Sequence, residues 1–544
     1  MMTGKAGKLH EWIVKCDKRV LLILDDVWEE VDFEAIGLPL RGDRKGYKIV
    51  LTSRKDDLCT KIGSQKNFLI DTLSKGEAWD LFRDMAGNSI DRILLDTASE
   101  IADECGGLPI AIVTLAKALK GKSKNIWNDV LLRLKNSSIK GILGMKNVYS
   151  RLELSFDLLE SDEAKSCFLL CCLFPEDYNV PVEDLVNYGM GLGLFEDVQN
   201  IHQARDRVYT LIDELKGSSL LLEGDTNFYE SVKMHDMVRD VAISIARGKH
   251  AYIVSCDSEM RNWPSDTDRY KGCTVISLLR KTIEEHPVDL ECPKLQLLLL
   301  ICDNDSQPLP NNFFGGMKEL KVLHLGIPLL PQPLDVLKKL RTLHLHGLES
   351  GEISSIGALI NLEILRIGTV HFRELPIEIG GLRNLRVLNL RGMSSLRYIP
   401  SGILSSLSKL EELYVSNEFK ELESHPITAL EINVLNFLVL PKESVISPLR
   451  RFKISIHKNS EYSNLRWFSI VKDSENELNI EGDSNDVLAS GISALLRNTQ
   501  VLRLKVNNLR NSLLELKDER SKEILQLQNK DPVVQLDWKN SHNR

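Results

Sequence analysis

LKVLHL at Leu320–Leu325, LRTLHL at Leu340–Leu345, LEILRI at Leu362–Ile367 and LRVLNL at Leu385–Leu390 share one pattern, L-x-x-L-x-L with a β-branched residue allowed last. LQLLLL at Leu295 and LEELYV at Leu410 extend it to six units at intervals of 25, 20, 22, 23 and 25 residues. That spacing is the signature of leucine-rich repeats, in which each unit buries its aliphatic residues only against its neighbours and several units make one continuous core. The asparagine usual eight residues after the first Leu is missing, since those positions hold Asp303, Pro328, Leu348, Val370 and Met393. An irregular solenoid without an asparagine ladder is therefore expected. Past Val415 the register loosens, with candidate strands at Leu430, Phe452 and Val501, the last after a polar stretch, Lys472–Asp486.

Side chains alternate along a strand, so the residue before the last aliphatic faces away from the solenoid core. This gives a column of His324, His344, Arg366, Asn389 and Tyr414. Either it is a merely solvated face or a protein docks there, and docking would use Arg366 and Tyr414 as anchors.

The first half reads differently. Arg19–Leu24, Tyr47–Thr52 and Asn67–Ile70 are short apolar runs, the type buried in a parallel sheet. Helical periodicity starts near Gly76, a second helix runs Thr97–Cys105, and a third follows Pro109 after the Gly106-Gly107 stop. From Val148 to Ala246 the pattern is mostly helical, and Gly248–Gly272 is a polar connector.

With 69 basic and 77 acidic residues among 544, the net charge is −8, which offers no broad basic surface to nucleic acid. No apolar run approaches the ~20 residues of a membrane span. Ten cysteines without a C-x-x-C pair suit reduced thiols in a cytoplasmic protein. Cys167, Cys171 and Cys172 lie in the apolar run CFLLCCLF, where core packing is expected rather than metal.

Several first-half residues carry possible chemistry. Asp25 and Asp26 end the strand LILDDVW, where they either meet Mg²⁺ and a phosphate or form a solvated turn. Arg54 closes the next strand, placed to reach a terminal phosphate or to sit on the surface. His235 opens a helix, where it touches an anion or simply caps.

The order of ILDDVW, LTSRKDDL, FLIDTLSKGEAWDLF, CGGLPIAIVTLAKAL, CFLLCCLFPEDYNV and VKMHDMV, followed by leucine-rich repeats, resembles the plant nucleotide-binding, leucine-rich-repeat disease-resistance proteins of the coiled-coil type. The six motifs span residues 20–238, and the resemblance continues more loosely to about residue 510. It implies that Asp25 and Asp26 are the Walker B acids, with Asp25 on Mg²⁺. It further implies that Arg54 senses the phosphate end, that Pro109 lies beside adenine and ribose, and that His235 contacts the diphosphate. The implied cofactors are ADP or ATP with Mg²⁺. The implied partner is a pathogen effector or a guarded host protein bound by the repeats.

The fold expected is an α/β remnant of a P-loop NTPase (NB-ARC), with a helical bundle and a winged helix, followed by an α/β leucine-rich-repeat solenoid. The divisions expected are 1–71 partial nucleotide-binding subdomain, 72–145 helical bundle, 146–247 winged helix, 248–274 linker, 275–510 repeats and 511–544 an unfolded tail. One departure from the family is severe: no G-x-x-x-x-G-K-[ST] occurs. Gly4-Lys5-Ala6-Gly7-Lys8 leaves two residues between its glycines where four are needed, and Leu9 stands where a hydroxyl should bind Mg²⁺. Lys5–Ile13 instead resembles the helix ahead of Walker B. The chain reads as truncated at its N-terminus, with weak nucleotide binding, no ATP hydrolysis and a poorly folded first 75 residues. Alternatives of another class are a repeat-based adaptor or decoy without nucleotide function, and a non-functional gene fragment.

Overall fold

The protein is described here from a computed structural model. It covers residues 5–16, 19–25, 27, 29–38, 47–53, 55–140, 145–225, 230–255, 263, 267–281, 283, 285–302, 307–348, 353–368, 373–391, 393, 396, 399–415, 428–434, 449–456, 477–483, 501–507 and 534–537. Two compact units result, residues 1–72 and 73–544, and each is described by itself.

In the first unit, helix α1 (Lys5–Lys15) precedes strands β1 (Val20–Leu24) and β2 (Tyr47–Leu51) and helix α2 (Asp56–Lys61). The two strands pair in parallel, Leu22 opposite Ile49. Ile13, Leu38 and Leu58 are buried, whereas Leu21, Ile23 and Val50 on one sheet face are 49–65% exposed. Asn67–Ile70, expected as a third strand, is not one. An apolar run becomes a strand only where a neighbouring ladder takes its N–H and C=O groups, and among the described residues none does. Its Phe68, Leu69 and Ile70 are 73%, 83% and 89% exposed.

The second unit opens with a bundle of α3 (Lys75–Ala86), α4 (Leu95–Glu104), α5 (Pro109–Leu119) and α6 (Lys124–Lys140). Ser74 starts α3 with a capping box: its hydroxyl accepts the Glu77 N–H, and the Glu77 carboxylate accepts the Ser74 N–H at 2.9 Å. Phe82, Ile101, Ile112, Leu115 and Trp127 fill the bundle's core.

Next come α7 (Met145–Asp157), α8 (Asp162–Cys171), β3 (Val180–Pro181), α9 (Val182–Leu192), α10 (Ile201–Gly217), β4 (Leu222–Glu223), β5 (Ser231–Lys233) and α11 (Asp236–Lys249). The three short strands form an antiparallel sheet in the order β3-β5-β4, which with its helices is a winged-helix arrangement. Cys167, Cys171 and Cys172 are buried in its core, where the Cys172 thiol donates to the Leu169 carbonyl at 3.2 Å.

The solenoid is one sheet of thirteen strands in sequence order. Its strands are β6 (Tyr252–Ser255), β7 (Val275–Lys281), β8 (Leu297–Cys302), β9 (Val322–Gly326), β10 (Thr342–His346), β11 (Ile364–Gly368), β12 (Val387–Leu390), β13 (Glu412–Val415), β14 (Ala429–Val434), β15 (Arg451–Ile456), β16 (Glu477–Asp483), β17 (Val501–Asn507) and β18 (Val534–Asp537). All neighbours are parallel except β17 and β18. All six L-x-x-L-x-L units carry strands, and their leucines stack as columns, Leu323, Leu343, Leu365, Leu388 and Leu413 among them, at 1% exposure or less.

Two sequence expectations are corrected, and one strand is added, at the solenoid's margins. The segment read as a linker, 248–274, supplies β6, because Ile253 and Val254 insert into the cores on the two sheet faces. The polar stretch Lys472–Asp486 contains β16, whose Leu478 and Ile480 lie in register with Ile454 and Ile456 of β15. The tail read as unfolded, 511–544, supplies β18, which pairs antiparallel with β17. No described helix is long and apolar enough to cross a membrane.

The stacked columns imply a sharp contrast in stability. Leu365→Ala, at 0% exposure, should cost about 2–5 kcal/mol. Ile360→Ala, at 63% exposure, should stay within about 0.5 kcal/mol. Urea unfolding of the chain measures both, and equal effects would contradict the stacked-core description.

Candidate functional site

Asp25 follows β1 and is exposed; the Thr52 hydroxyl after β2 donates to its carboxylate. The edge is extended by backbone bonds, Thr52 N–H to Leu24 C=O and Val27 N–H to Thr52 C=O, both 2.9 Å. Asp26 and Arg54 lie outside the described residues.

Pro109 and His235 belong to the second unit. Pro109 is the first residue of α5 and is exposed, a place where its missing N–H costs nothing. Gly106, at φ +61°, turns the chain ahead of it, and a Cβ there would lie 3.2 Å from the Arg151 guanidinium of α7. His235 is the N-cap of α11: its Nδ1 accepts the Met237 N–H at 3.2 Å, which leaves the ring proton on Nε2 of an exposed side chain. Both α5 and α11 pack on α7, with the Tyr149 hydroxyl donating to Asp240 at 3.4 Å.

The repeat column is also placed. His324, His344, Arg366, Asn389 and Tyr414 stand opposite one another strand by strand from β9 to β13. Most of the stripe is turned away from solvent because α9 lies across it, although the Arg366 side chain remains 43% exposed. The Tyr188 hydroxyl is 2.6 Å from His324 Nδ1, the Asn187 amide nitrogen 3.4 Å from His344 Nε2, and Arg366 donates to Asp184 at 3.0 Å. His344, Asn389 and Tyr414 are 1%, 7% and 7% exposed.

The close seat of α9 comes from two sources. Val322, Ile364 and Val387, two residues before the polar column, are apolar on the same face and join the winged-helix core. Gly191 supplies the room, since a Cβ there would lie 2.5 Å from both Thr342 Oγ1 and Val322 Cγ2. At the end of α9, Lys321 donates to the Leu192 carbonyl at 3.5 Å and Arg341 to the Gly191 carbonyl at 3.4 Å, placing cations at a helix C-terminus.

Arg205 of α10 fixes the contact. Its guanidinium donates to both oxygens of Glu412 on β13 at 3.0 Å and to both oxygens of Glu183 on α9 at 2.7 and 3.1 Å. The Arg205 and Glu412 side chains are 6% and 1% exposed. The Tyr414 hydroxyl donates to Glu412 at 2.7 Å, and Arg451 reaches the same carboxylate at 3.4 Å. Burial alone would raise the Glu183 carboxyl, but Arg205 and Arg451 more than offset it and bring it to about 2. Burial pushes the Tyr414 hydroxyl well up.

The sequence reading named none of Asp184, Asn187, Tyr188, Arg205 or Glu412. The signal for them was the apolar column Val322, Ile364 and Val387, which a solvated face would not carry.

The sequence profile of the NB-ARC domain matches residues 3–91. A disease resistance protein of Arabidopsis thaliana is 34% identical over 424 residues, covering 75% of this chain and 42% of that protein. A probable disease resistance protein of the same plant is 35% identical over 355 residues, covering 63% of this chain and 41% of that protein. The chain thus spans less than half the length of these relatives. Among solved structures, a leucine-rich-repeat protein of Leptospira interrogans is 19% identical with a TM-score of 0.31, covering 39% of this chain and 58% of that one.

Arg205→Met leaves Glu412 buried without its main counter-charge and should cost about 3–5 kcal/mol. Lys339→Met, whose pair with Glu319 is half exposed, should cost less than about 1 kcal/mol. Chemical denaturation of the chain compares them, and a small Arg205 effect would show that the pair does not hold α10 to the solenoid.

Proposed function

Because the chain belongs to the nucleotide-binding, leucine-rich-repeat disease-resistance family, we propose that it supplies the switch and sensor parts of a cytoplasmic plant immune receptor, held in a closed state. The observation that carries this reading is α9 and α10 seated on the concave repeat face through the buried Arg205–Glu412 pair and the part-buried Glu183. A receptor kept silent needs such a contact, one that excludes other proteins from the repeat face until it opens. An adaptor whose repeats were free for partners would leave that face uncovered. The proposed partner in the open state is a pathogen effector or a guarded host protein.

The proposed nucleotide role is narrower in this chain than in the family. His235 offers an Nε2–H donor for a diphosphate, Pro109 an apolar wall for an adenine, and Asp25 a carboxylate for Mg²⁺. Affinity in such folds comes largely from backbone N–H groups cradling the phosphates, with a loop Lys as counter-charge. This sequence contains no G-x-x-x-x-G-K-[ST]. The residues present therefore do not fit the phosphates of a tightly held nucleotide, and no hydrolytic step is assigned to them.

Two measurements test these claims. Isothermal titration with Mg-ADP should show weak binding or none, and micromolar affinity would mean that another segment cradles the phosphates. In leaf tissue, a full-length receptor carrying this sequence with Arg205→Glu should give cell death without a pathogen. Adding Glu183→Arg and Glu412→Arg should restore silence. Identical output from all three forms would remove the closed-state reading.

A further inference from the structure

Three histidines sit where α9 meets the solenoid. His324 and His344 face each other across β9 and β10 with ring centroids 5.1 Å apart, and His346 stands 5.2 Å from His324. His344 is 1% exposed, and among the described residues its Nδ1 has no hydrogen-bond partner, with an Asp184 carboxylate oxygen 4.0 Å away. A cavity of about 520 Å³ bordered by all three rings adjoins the cluster. Solvent protons thus have a route to it.

We propose that closure of the winged-helix region on the repeat face is proton-linked through this cluster, so that acidification releases α9. This rests on reading the α9 contact as the closed state. The Asn187 amide nitrogen can only donate, so Nε2 of His344 accepts it with the lone pair that a second proton would occupy, whereas the Tyr188 hydroxyl can donate to Nδ1 of a neutral His324 or accept from a charged one.

The surrounding charges offer a new cation one nearby carboxylate, Asp184 at 4.0 Å from His344 Nδ1, already shared with Arg366. On the solenoid side Arg366 is already a cation, with Arg391 and Arg451 farther along the same face. From α9, Asp184 is the one carboxylate facing the rings, and it is committed to Arg366. Glu183 is bound by Arg205, and Glu230 borders the cavity from the strand side of the winged helix. Tyr178 and Tyr209 complete the polar border.

The direction of proton linkage follows. Burial first, then the neighbouring His and Arg cations, hold His324 well below the usual histidine range; burial, then Arg366 and His346, do the same for His344. Burial, then Arg366, also lowers His346. Groups depressed in the closed state and released to about 6.5 in the open state take up protons on opening. Closure is then fully favoured above about pH 6.5 and weakens as pH falls below it. Asp184 acts in the opposite sense, since burial raises its carboxyl, and it offsets part of the effect. Glu183, ionised down to about 2, does not titrate in this window.

The test is hydrogen exchange of the α9 backbone in the full chain between pH 7.5 and 5.5, corrected for the intrinsic pH dependence of exchange. Each histidine multiplies the opening constant by about ten at pH 5.5, so opening should rise at least about tenfold after the Asp184 offset. His324→Gln with His344→Gln should remove most of the rise and leave only the His346 contribution, while Arg205→Met should open α9 at every pH. A flat profile in the unaltered chain, with Arg205→Met still opening α9, would overturn the proton link and leave the closed state standing. No effect of Arg205→Met on α9 would overturn both. Should the double variant misfold, histidine C2–H exchange in the unaltered chain decides: His324 and His344 titrating near 6.5 would refute the proposal.

Discussion

A guanidinium buried between two carboxylates from different parts of the chain leaves little freedom in how those parts meet. Arg205 is such a group, with all four of its hydrogen bonds to Glu183 and Glu412 between 2.7 and 3.1 Å. A pair of this kind is a weak source of net stability, because desolvating three charges costs about as much as their attraction returns. Its contribution is selection. The apolar column Val322, Ile364 and Val387 would tolerate α9 in several positions, since dispersion and burial are not directional. The planar fork of Arg205 tolerates one, because any shift strands a buried charge. Gly191 acts in the same direction through space: a helix lacking one Cβ at its closest approach fits the groove between Val322 and Thr342 in one register.

The solenoid was legible because its code is redundant. Three aliphatic positions repeated six times specify strand, face and spacing together, and β8 to β13 lie on them. Its margins were not. β6 is four residues in a polar setting, and β16 carries Glu477, Asn479 and Glu481 on alternate positions, so both depend on neighbouring ladders that local composition does not reveal. Asn67–Ile70 erred the other way, having the composition of a buried strand with no described ladder beside it. The concave column shows what periodicity can and cannot say. Alternation put His324, His344, Arg366, Asn389 and Tyr414 in one row, yet it carries no information about what lies opposite. Of the residues that the family resemblance carried over, Asp25, Pro109 and His235 occupy ordinary local roles, a strand end and two helix starts, so local sequence located them without revealing their chemistry.

On the proposed reading, the covered stripe sets what sensing by the repeats would require. A protein anchored on Arg366 and Tyr414 would compete with Asp184 for the first and with the Glu412 and Arg451 cluster for the second. It binds only when α9 has left, so its apparent affinity falls by the fraction of molecules that are open. By reciprocity it must favour opening by the same factor. Recognition and release then form one equilibrium, with no signal path through the solenoid required. The solenoid suits this role by being rigid, since its columns of leucines hold both stripes at fixed spacing whether or not α9 is seated. The proposed opening is then a movement of the winged-helix side. Its attachment to the concave face depends on one buried ion cluster, one apolar column and a few hydrogen bonds, few enough that a single competing surface can replace them.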